Sequence, residues 1–326
     1  MKKLLLACAI STLALAASAS APRLHAQSYP TRPVMLVLGF APGGPSDVMA
    51  RIFSRKLEQV LGQPVVIENR AGAGGNVAAE AVARANPDGH TLLLANSGIL
   101  AANAALYKKV NYDAVKDFAP ITLVGAQANV LLVHPTLPAA TLAELIAYAK
   151  ANPGKISYSS GGNGTSPHLA AELLKAEAGI SVVHVAYRGT GPALQDLVAG
   201  HVKMGFSSVS PVIGHINSGA LRALGVSGLK RTALLPDVPT IAELALPSFD
   251  ASAWHALVTT AGAPKAVIAT LHRGMIATLN DPETRKALTN LGVDVGGNSP
   301  EELAAFIKSE IPKWTAIIKA SGTTLE

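Results

Sequence analysis

The apolar and polar positions of the first third of the chain alternate between strand-like and helix-like patterns. Val34–Phe40 is a continuous apolar run, which is typical of a strand buried on both faces of a sheet. Asp47–Leu61 carries apolar residues at helical spacing and ends before Gly62 and Pro64, residues that stop helices. The alternation continues with predicted strands at 65–67 and 91–94 and a predicted small-residue helix at 76–84. Such strand-then-helix units predict a mostly parallel sheet with helices on its faces.

The same alternation restarts near Asn129 and later gives way to helices. The second series comprises predicted strands at 130–133, 156–159, 182–185, 202–207 and 221–226 and predicted helices at 142–151, 167–178 and 192–199. An apolar run at 254–259 precedes three predicted helices at 264–280, 282–291 and 300–318. Each of these helices begins with proline, which suits the first helical turn. The chain therefore contains a second α/β unit and a helical C-terminal part.

These two series predict an α/β fold with two lobes. We expect lobe 1 to combine 29–126 with 253–326 and lobe 2 to comprise 127–252. Each lobe is then a mostly parallel sheet flanked by helices. Because the chain crosses between the lobes more than once, a cleft separates them, and such a shape suits closure around a ligand.

The first 26 residues have the three-part layout of a secretory signal peptide. Lys2 and Lys3 precede an apolar run from Leu4 to about Ala17, and small residues follow up to Ala26. The run of about 14 residues is shorter than the ~20 that a membrane-spanning helix needs. We therefore predict export to the periplasm with removal of 1–26; a buried N-terminal helix is the alternative.

Composition and charge limit the classes of protein that fit. Of 326 residues, 49% are apolar and 15% are charged, which supports a folded core and excludes wholesale disorder. The net charge of +6 falls to +3 when the segment 1–26, with Lys2, Lys3 and Arg23, is removed. That balance suits small anions and is too weak to indicate nucleic acid. The single cysteine, Cys8, excludes a disulfide framework and multi-cysteine metal sites, and we expect no cofactor.

The most informative feature is a strand, a glycine-rich turn and a helix start that occur twice. Val34–Phe40 leads into Ala41–Asp47, and Ile156–Ser160 leads into Gly161–His168. In an open α/β sheet such turns lie at the carboxyl ends of strands, where ligands bind. The first N–H groups of a helix lack an intrahelical partner and carry partial positive charge, and glycine lets the backbone approach a ligand closely. Two such turns facing across a cleft predict a site that holds one carboxylate from both sides.

Side chains in the two turns modify this picture. Ser166 before Pro167 is predicted as the N-cap of the second helix, which leaves Thr165 and the Gly162–Gly164 amides for a ligand. Asp47 stabilises the first helical turn but would repel a neighbouring anion unless another donor intervenes. The alternative is that both turns are only structural, since glycine-rich turns of this kind often bind nothing.

A third glycine segment and the scattered histidines give weaker signals. Asn69–Asn76 lacks the dinucleotide-binding spacing, and Arg70 within it is better explained by an ion pair than by a ligand contact. We place His168 at the cleft, because it falls in the first turn after the second glycine loop. His184 and His255 lie in or beside apolar strands and are interpreted as structural residues.

Two other classes of function stay open at this point. The sequence contains no G-x-S-x-G, H-E-x-x-H or Walker A motif. An exported hydrolase or lyase that uses Ser46 or Ser166 with His168 is nevertheless an alternative. A sensor that presents bound solute to a signalling partner is another.

Six segments in fixed order carry a family resemblance. They are the start Tyr29-Pro30 with Gly39–Asp47, then Glu68–Asn76, Pro87–Leu92, Ser159–Ala170, Tyr187–Ala193 and Leu235–Thr240. Together they resemble the Bug (TctC-like) family, the extracytoplasmic solute-binding receptors of tripartite tricarboxylate transporters. The resemblance covers essentially the whole chain that follows the predicted signal peptide.

This resemblance implies a periplasmic-binding-protein-like fold and a receptor, rather than an enzyme, that closes on a small carboxylate. A di- or tricarboxylate or an aromatic acid is the implied solute, and the membrane permease subunits of such a transporter are the implied partners; we expect a monomer. Ser207 stands where some amino-acid-binding members have Asp, which favours a plain organic acid. Carried over by position, the implied ligand contacts are Gly43, Gly44, Ser46 and Asp47 in one turn, Asn163, Gly164, Thr165, Ser166 and His168 in the other, and Ser97 towards the distal part of the solute.

Overall fold

The structure is a computed structural model that describes residues 29–325. The predicted signal peptide, 1–26, lies outside the described residues. Within 29–325, none of the helices combines the length and apolar character needed to span a bilayer.

Strands and helices alternate along most of the described chain. The strands are β1 (Val34–Leu38), β2 (Val65–Asn69), β3 (Thr91–Asn96), β4 (Phe118–Gln127), β5 (Asn129–Val133), β6 (Ser157–Ser160), β7 (Val183–Ala186), β8 (Met204–Ser208), β9 (Arg222–Val226), β10 (Ala253–Thr260) and β11 (Asp294–Val295). The α-helices are α1 (Pro45–Leu61), α2 (Asn76–Ala83), α3 (Asn103–Leu106), α4 (Leu142–Ala151), α5 (Ser166–Ala178), α6 (Thr190–Val198), α7 (Ile213–Asn217), α8 (Ile241–Leu244), α9 (Lys265–Asn280), α10 (Pro282–Asn290) and α11 (Pro300–Ser321). A π-helix, Gly98–Ala102, joins β3 to α3, and short 3-10 turns lie at Ala73–Gly75 and Ser210–Val212.

Six strands form a first sheet in the order β11-β4-β10-β3-β1-β2. β1 pairs in parallel with β2 and β3, whereas β10 lies antiparallel between β3 and β4. Four of the six strands therefore run in one direction, in agreement with the predicted mostly parallel sheet. The sequence pattern does not predict β4, because Pro120, Thr122 and Gly125 interrupt its apolar run.

Five strands form a second sheet in the order β7-β6-β8-β5-β9. β6 pairs in parallel with β7 and β8, and β5 lies antiparallel between β8 and β9. Two sheets flanked by helices confirm the predicted α/β fold class.

The route of the chain sets which ends of the strands meet. Only Ala128 separates β4 from β5, so the carboxyl end of β4 adjoins the amino end of β5. β1, β2 and β3 run parallel to β4, and β6 to β9 run opposite to β5. The carboxyl ends of β1 to β4 therefore lie along one sheet edge and those of β6 to β9 along an adjoining edge of the other sheet. The amino ends of β10 and β5 lie at the same two edges. We call them the facing edges.

The apolar core joins the two sheets. One face of the first sheet packs with α1 and α9, through residues such as Leu36 and Met275. Its other face belongs to a cluster that continues into the second sheet and includes Trp314 and Ile318 of α11. The lobe boundaries themselves remain a prediction, although each sheet takes its strands from one predicted lobe, apart from Gln127 at the end of β4.

Candidate functional site

The predicted site residues gather at the facing edges. The first glycine turn follows β1, Ser97 follows β3, the second glycine turn follows β6, and Ser207 lies near the end of β8. The third glycine segment, which follows β2, joins them there. The strand order thus brings together turns that are distant in sequence.

Asp47 organises the first glycine turn. Its carboxylate accepts hydrogen bonds from the Gly43 N–H at 3.0 Å, from Arg51 Nε and Nη2 at 2.9 and 3.0 Å, and from Asn69 Nδ2 at 3.2 Å. These donors, the Arg51 guanidinium first among them, hold the pKa of Asp47 below its usual value. These donors therefore compensate the carboxylate charge, which reduces the repulsion of an anion that the sequence predicts at Asp47. It also means that the Gly43 N–H is engaged within the loop.

Ser46 pairs with a histidine of the neighbouring strand. Its Oγ lies 2.8 Å from Nε2 of His255, and both side chains are buried. His255 is on β10, directly opposite Asn96 at the end of β3. Burial lowers the pKa of His255 to about 4, so the ring is neutral near pH 7. In the sequence His255 stands out only as a polar residue inside an apolar strand, and nothing there indicates that it pairs with Ser46.

The second glycine turn is held by His168 and Ser160. The Gly164 N–H donates to Nδ1 of His168 at 3.2 Å, and the Gly162 N–H donates to Oγ of Ser160 at 3.1 Å. Thr165, rather than Ser166, is the N-cap residue, and its hydroxyl donates to the Gly162 carbonyl at 2.6 Å. The expectation that Ser166 caps the helix and leaves the Gly162–Gly164 amides free is therefore corrected: two of those amides have partners within the loop.

His168 connects this turn to a buried polar network. It stacks on His184 with ring centroids 4.3 Å apart, and His184 stacks on Tyr158. Tyr158 donates to Glu172 at 2.6 Å, and Lys175 donates to both Glu172 oxygens at 2.9 Å. Burial lowers the pKa of His168 to about 3, so this ring is neutral and supports the loop as an acceptor. Its hydrogen bond goes to Gly164 instead of Ser46 or Ser166, so the dyad of the hydrolase alternative does not form.

The second glycine turn lies directly on elements of the first sheet. A Cβ added at Gly98 would lie 2.1 Å from the Gly164 carbonyl oxygen, and one added at Gly74 would lie 3.0 Å from the Asn163 carbonyl oxygen. Asn96 Nδ2 donates to the Gly164 carbonyl at 3.4 Å. Only residues without a Cβ permit this approach. The third glycine segment, a weak signal in the sequence, thus forms the surface that the second turn contacts.

Both helix starts at the facing edges keep unpaired donors. α1 and α5 have no side-chain cap, whereas α11 has a full capping box from Ser299 and Glu302. The N–H groups of Ser46 and Asp47, and those of Ser166 and His168, occupy helix positions that have no intrahelical acceptor. No described side chain accepts from them. Four other predicted contact residues form no side-chain hydrogen bond within 29–325, and Gly44 has no side chain to form one. The four are Ser97, which is 1% exposed, and Asn163, Ser166 and Ser207.

Unsatisfied buried atoms concentrate in the same region. Among the described residues, six buried side-chain N or O atoms have no hydrogen-bond partner, and five of them are Asn103 Oδ1, Asn129 Nδ2 and Oδ1, His168 Nε2 and His255 Nδ1. Four of them lie at or beside the facing edges, whereas His168 Nε2 faces the buried Glu172, whose Oε1 is 3.9 Å away. Because buried polar atoms are normally satisfied, this concentration indicates a place where a polar ligand or ordered water binds.

Arg70 and Tyr187, which lie near the facing edges, have their partners outside the glycine turns. Arg70 pairs with Glu68 on its own strand at 2.7 Å, as the ion-pair interpretation predicts. Tyr187 donates to Asp196 at 2.5 Å. With Arg51 bound to Asp47, backbone N–H groups and helix N-termini contribute positive character to the site, and the exposed Arg188 lies beside the second glycine turn.

The chain matches a known protein family over most of its length. The sequence model of the family described as "Tripartite tricarboxylate transporter family receptor" matches residues 49–323. The protein BugT of Bordetella pertussis is 36% identical over 319 residues, which cover 98% of each chain. The chain therefore belongs to the TctC family of tripartite tricarboxylate transporter receptors, and the predicted resemblance is confirmed.

Two solved structures have the same fold at substantial identity. An R. palustris protein solved with adipate has a TM-score of 0.84 and 33% identity, over 91% of this chain and 99% of its own. MatC of Rhodopseudomonas palustris with bound malate has a TM-score of 0.82 and 34% identity, over 89% and 100%. The family is a receptor family, and each of these two neighbours was solved with a bound carboxylate.

Proposed function

We propose that this protein is a periplasmic receptor that captures a small carboxylate between two lobes, 29–126 with 253–326 and 127–252, without catalysis. It then delivers the solute, as a monomer, to the membrane permease subunits of a tripartite tricarboxylate transporter. The segment 1–26 is the export signal in this proposal. Family membership and the carboxylate-bound neighbours support it.

The observation that carries the proposal is the pair of uncapped helix N-termini at the facing edges. α1 and α5 both start at glycine-rich turns, and their first N–H groups have no acceptor among residues 29–325. A carboxylate between them accepts hydrogen bonds from both sides, and each helix dipole favours its charge. Arg188, an exposed cation that follows β7 beside the second glycine turn, is a side chain here that could add to these backbone donors.

A dicarboxylic acid is the solute class that we favour. Adipate and malate, bound to the two neighbours, are both diacids. Ser207 in place of an acidic residue leaves the site without a partner for an ammonium group, which argues against amino acids. Ser97 and Ser207 supply hydroxyl groups for the distal end of the solute.

Isothermal titration calorimetry and thermal shift with the chain starting at Gln27 test the proposal. The panel contains adipate, malate, citrate and benzoate, with the neutral adipamide and the cationic putrescine as controls matched in shape. We expect submillimolar or tighter binding of at least one acid and none of either control. Binding restricted to neutral or cationic compounds would contradict the proposal. Release of product from ester or amide substrates above background would contradict its non-catalytic part.

A further inference from the structure

Ser46 and His255 form a buried serine–histidine pair at the start of α1. Ser46 Oγ has one described partner, His255 Nε2 at 2.8 Å. His255 Nδ1 is buried and has none. The neighbours of His255 in the sheet are Asn96 on β3 and Gly125 on β4. The Asn96 side chain accepts from the Ile99 N–H and donates to the Gly164 carbonyl, and it forms no hydrogen bond with Nδ1.

This arrangement selects one tautomer of the neutral ring. With the proton on Nδ1, a buried N–H group would lack any acceptor, which is the rarer defect in proteins. With the proton on Nε2, the ring donates to Ser46 and a lone pair on the buried Nδ1 is left unpaired. The hydroxyl proton of Ser46, a residue that is 6% exposed, is then left for water or a solute to accept. The second tautomer is therefore favoured.

The tautomer determines what Ser46 offers to a solute. When His255 donates to Oγ, the hydroxyl proton of Ser46 is directed away from the ring. Ser46 is the second residue of α1, so its hydroxyl group lies close to its own unpaired N–H group and to that of Asp47. A carboxylate at this helix start would then receive the hydroxyl proton in addition to the backbone donors. The opposite tautomer would make Ser46 present lone pairs, which repel an anion.

We propose that His255 is a positioning residue that fixes the Ser46 hydroxyl as a hydrogen-bond donor to the solute carboxylate, an inference that rests on the proposed function. His255 does not touch the solute itself. The chain His255–Ser46–carboxylate is cooperative, because each hydrogen bond polarises the next, and its last bond is charge-assisted.

Nitrogen NMR of the solute-free chain with labelled histidine tests the tautomer without any ligand. We expect His255 to carry its proton on Nε2; a proton on Nδ1 would overturn the inference. Calorimetry with adipate and malate then compares His255→Leu with His255→Gln. Glutamine places an N–H donor the same number of bonds from Cα as Nε2 of histidine, so it should restore what leucine loses.

The expected result is about a tenfold loss of affinity in His255→Leu, the size of one hydrogen bond to a charged group, and near wild-type affinity in His255→Gln. In a Ser46→Ala background, His255→Leu should have no further effect. Equal losses in the leucine and glutamine variants, or additive losses with Ser46→Ala, would overturn the positioning role. Thermal unfolding of each variant checks that it folds. If the wild-type chain binds no carboxylate at all, the proposed function fails, whereas binding with an Nδ1-protonated His255 overturns only this inference.

Discussion

The carbonyl oxygen of Gly164 lies against the α-carbon of Gly98, so close that a Cβ at Gly98 would fall 2.1 Å from it. Gly98 follows a strand of the first sheet and Gly164 follows a strand of the second. This contact therefore marks where the two sheets meet beside the candidate site, and it depends on the absence of a side chain.

Gly98→Ala should prevent this approach and weaken solute binding. The added methyl group displaces the second glycine turn, at a cost of about 1–3 kcal/mol for overpacking. We expect a loss of adipate or malate affinity of roughly tenfold or more, because the overpacking destabilises only the closed, solute-bound form. The melting temperature of the solute-free chain should change little, since an open form accommodates the methyl group.

Gly191→Ala is the matched control for this substitution. Gly191 lies in the first turn of α6, and a Cβ there meets no atom within 4 Å. Its affinity should equal that of the wild-type chain. Gly164→Val should weaken binding more than Gly98→Ala, because Gly164 has a positive φ of 71° and a Cβ added there would lie 2.8 Å from Asn103 Oδ1. Unchanged affinity in both site variants would argue against a bound form with these turns in contact.

Asp47→Asn distinguishes a structural carboxylate from a repulsive one. The carboxylate anchors Gly43, Arg51 and Asn69, so its loss should reduce the free energy of unfolding by about 1–3 kcal/mol and weaken carboxylate binding. Glu80→Gln, which removes another Arg–carboxylate pair at the same helical spacing, should cost at most about 0.5 kcal/mol. Urea denaturation and calorimetry measure both. Tighter carboxylate binding in Asp47→Asn would show that repulsion dominates.

Lys175→Met should destabilise the chain strongly. Glu172 is fully buried, and burial by itself raises the pKa of its carboxyl group. Hydrogen bonds from groups that include Thr323 and Lys175 outweigh this effect and lower the pKa to about 2. Removing Lys175 leaves that buried charge poorly compensated, at about 3–5 kcal/mol in chemical denaturation. Lys313→Met, beside Glu310, should cost less because the Glu310 side chain is 9% exposed and so partly hydrated, whereas the Glu172 side chain is fully buried. Adding Glu172→Gln should recover part of the loss. Equal small losses in both lysine variants would contradict the network.

Stability should fall as the pH drops from about 6.5 towards about 4. Burial lowers the pKa of His184 and His255 to about 4 and that of His168 to about 3, below the ~6.5 of an unfolded chain. In this window the unfolded chain binds protons that the folded chain does not, so unfolding is favoured by up to roughly 1.4 kcal/mol per pH unit and histidine. Above pH 6.5 the contribution is fully present. Denaturation at pH 7.5, 6.0 and 5.0 checks this, and His255→Gln should reduce the slope; a pH-independent stability would contradict it.

The periodic parts of the fold follow from the sequence, and the exceptions have physical reasons. Val34–Leu38 is a strand because its apolar run is buried on both faces, and the glycine turns follow from their place between strand and helix. β4 escapes prediction because its stability comes from pairing with β10, not from its own pattern.

The local backbone features of the candidate site could be predicted from the sequence, whereas its contacts between distant segments could not. Both glycine turns and the start of each helix could be found in the sequence. The partner of Ser46 is 209 positions away, and the contact of the second turn with Gly74 and Gly98 arises only when the sheets meet. Local spacing contains no signal for such pairs.

A crystal structure of the chain grown with the diacid that binds most tightly in the panel tests the central claim most directly. The account predicts one carboxylate between the N-termini of α1 and α5, within hydrogen-bond distance of the Ser46 hydroxyl and of backbone N–H groups from both helices. A diacid bound outside the facing edges, or held by cationic side chains with both helix starts unoccupied, would contradict it.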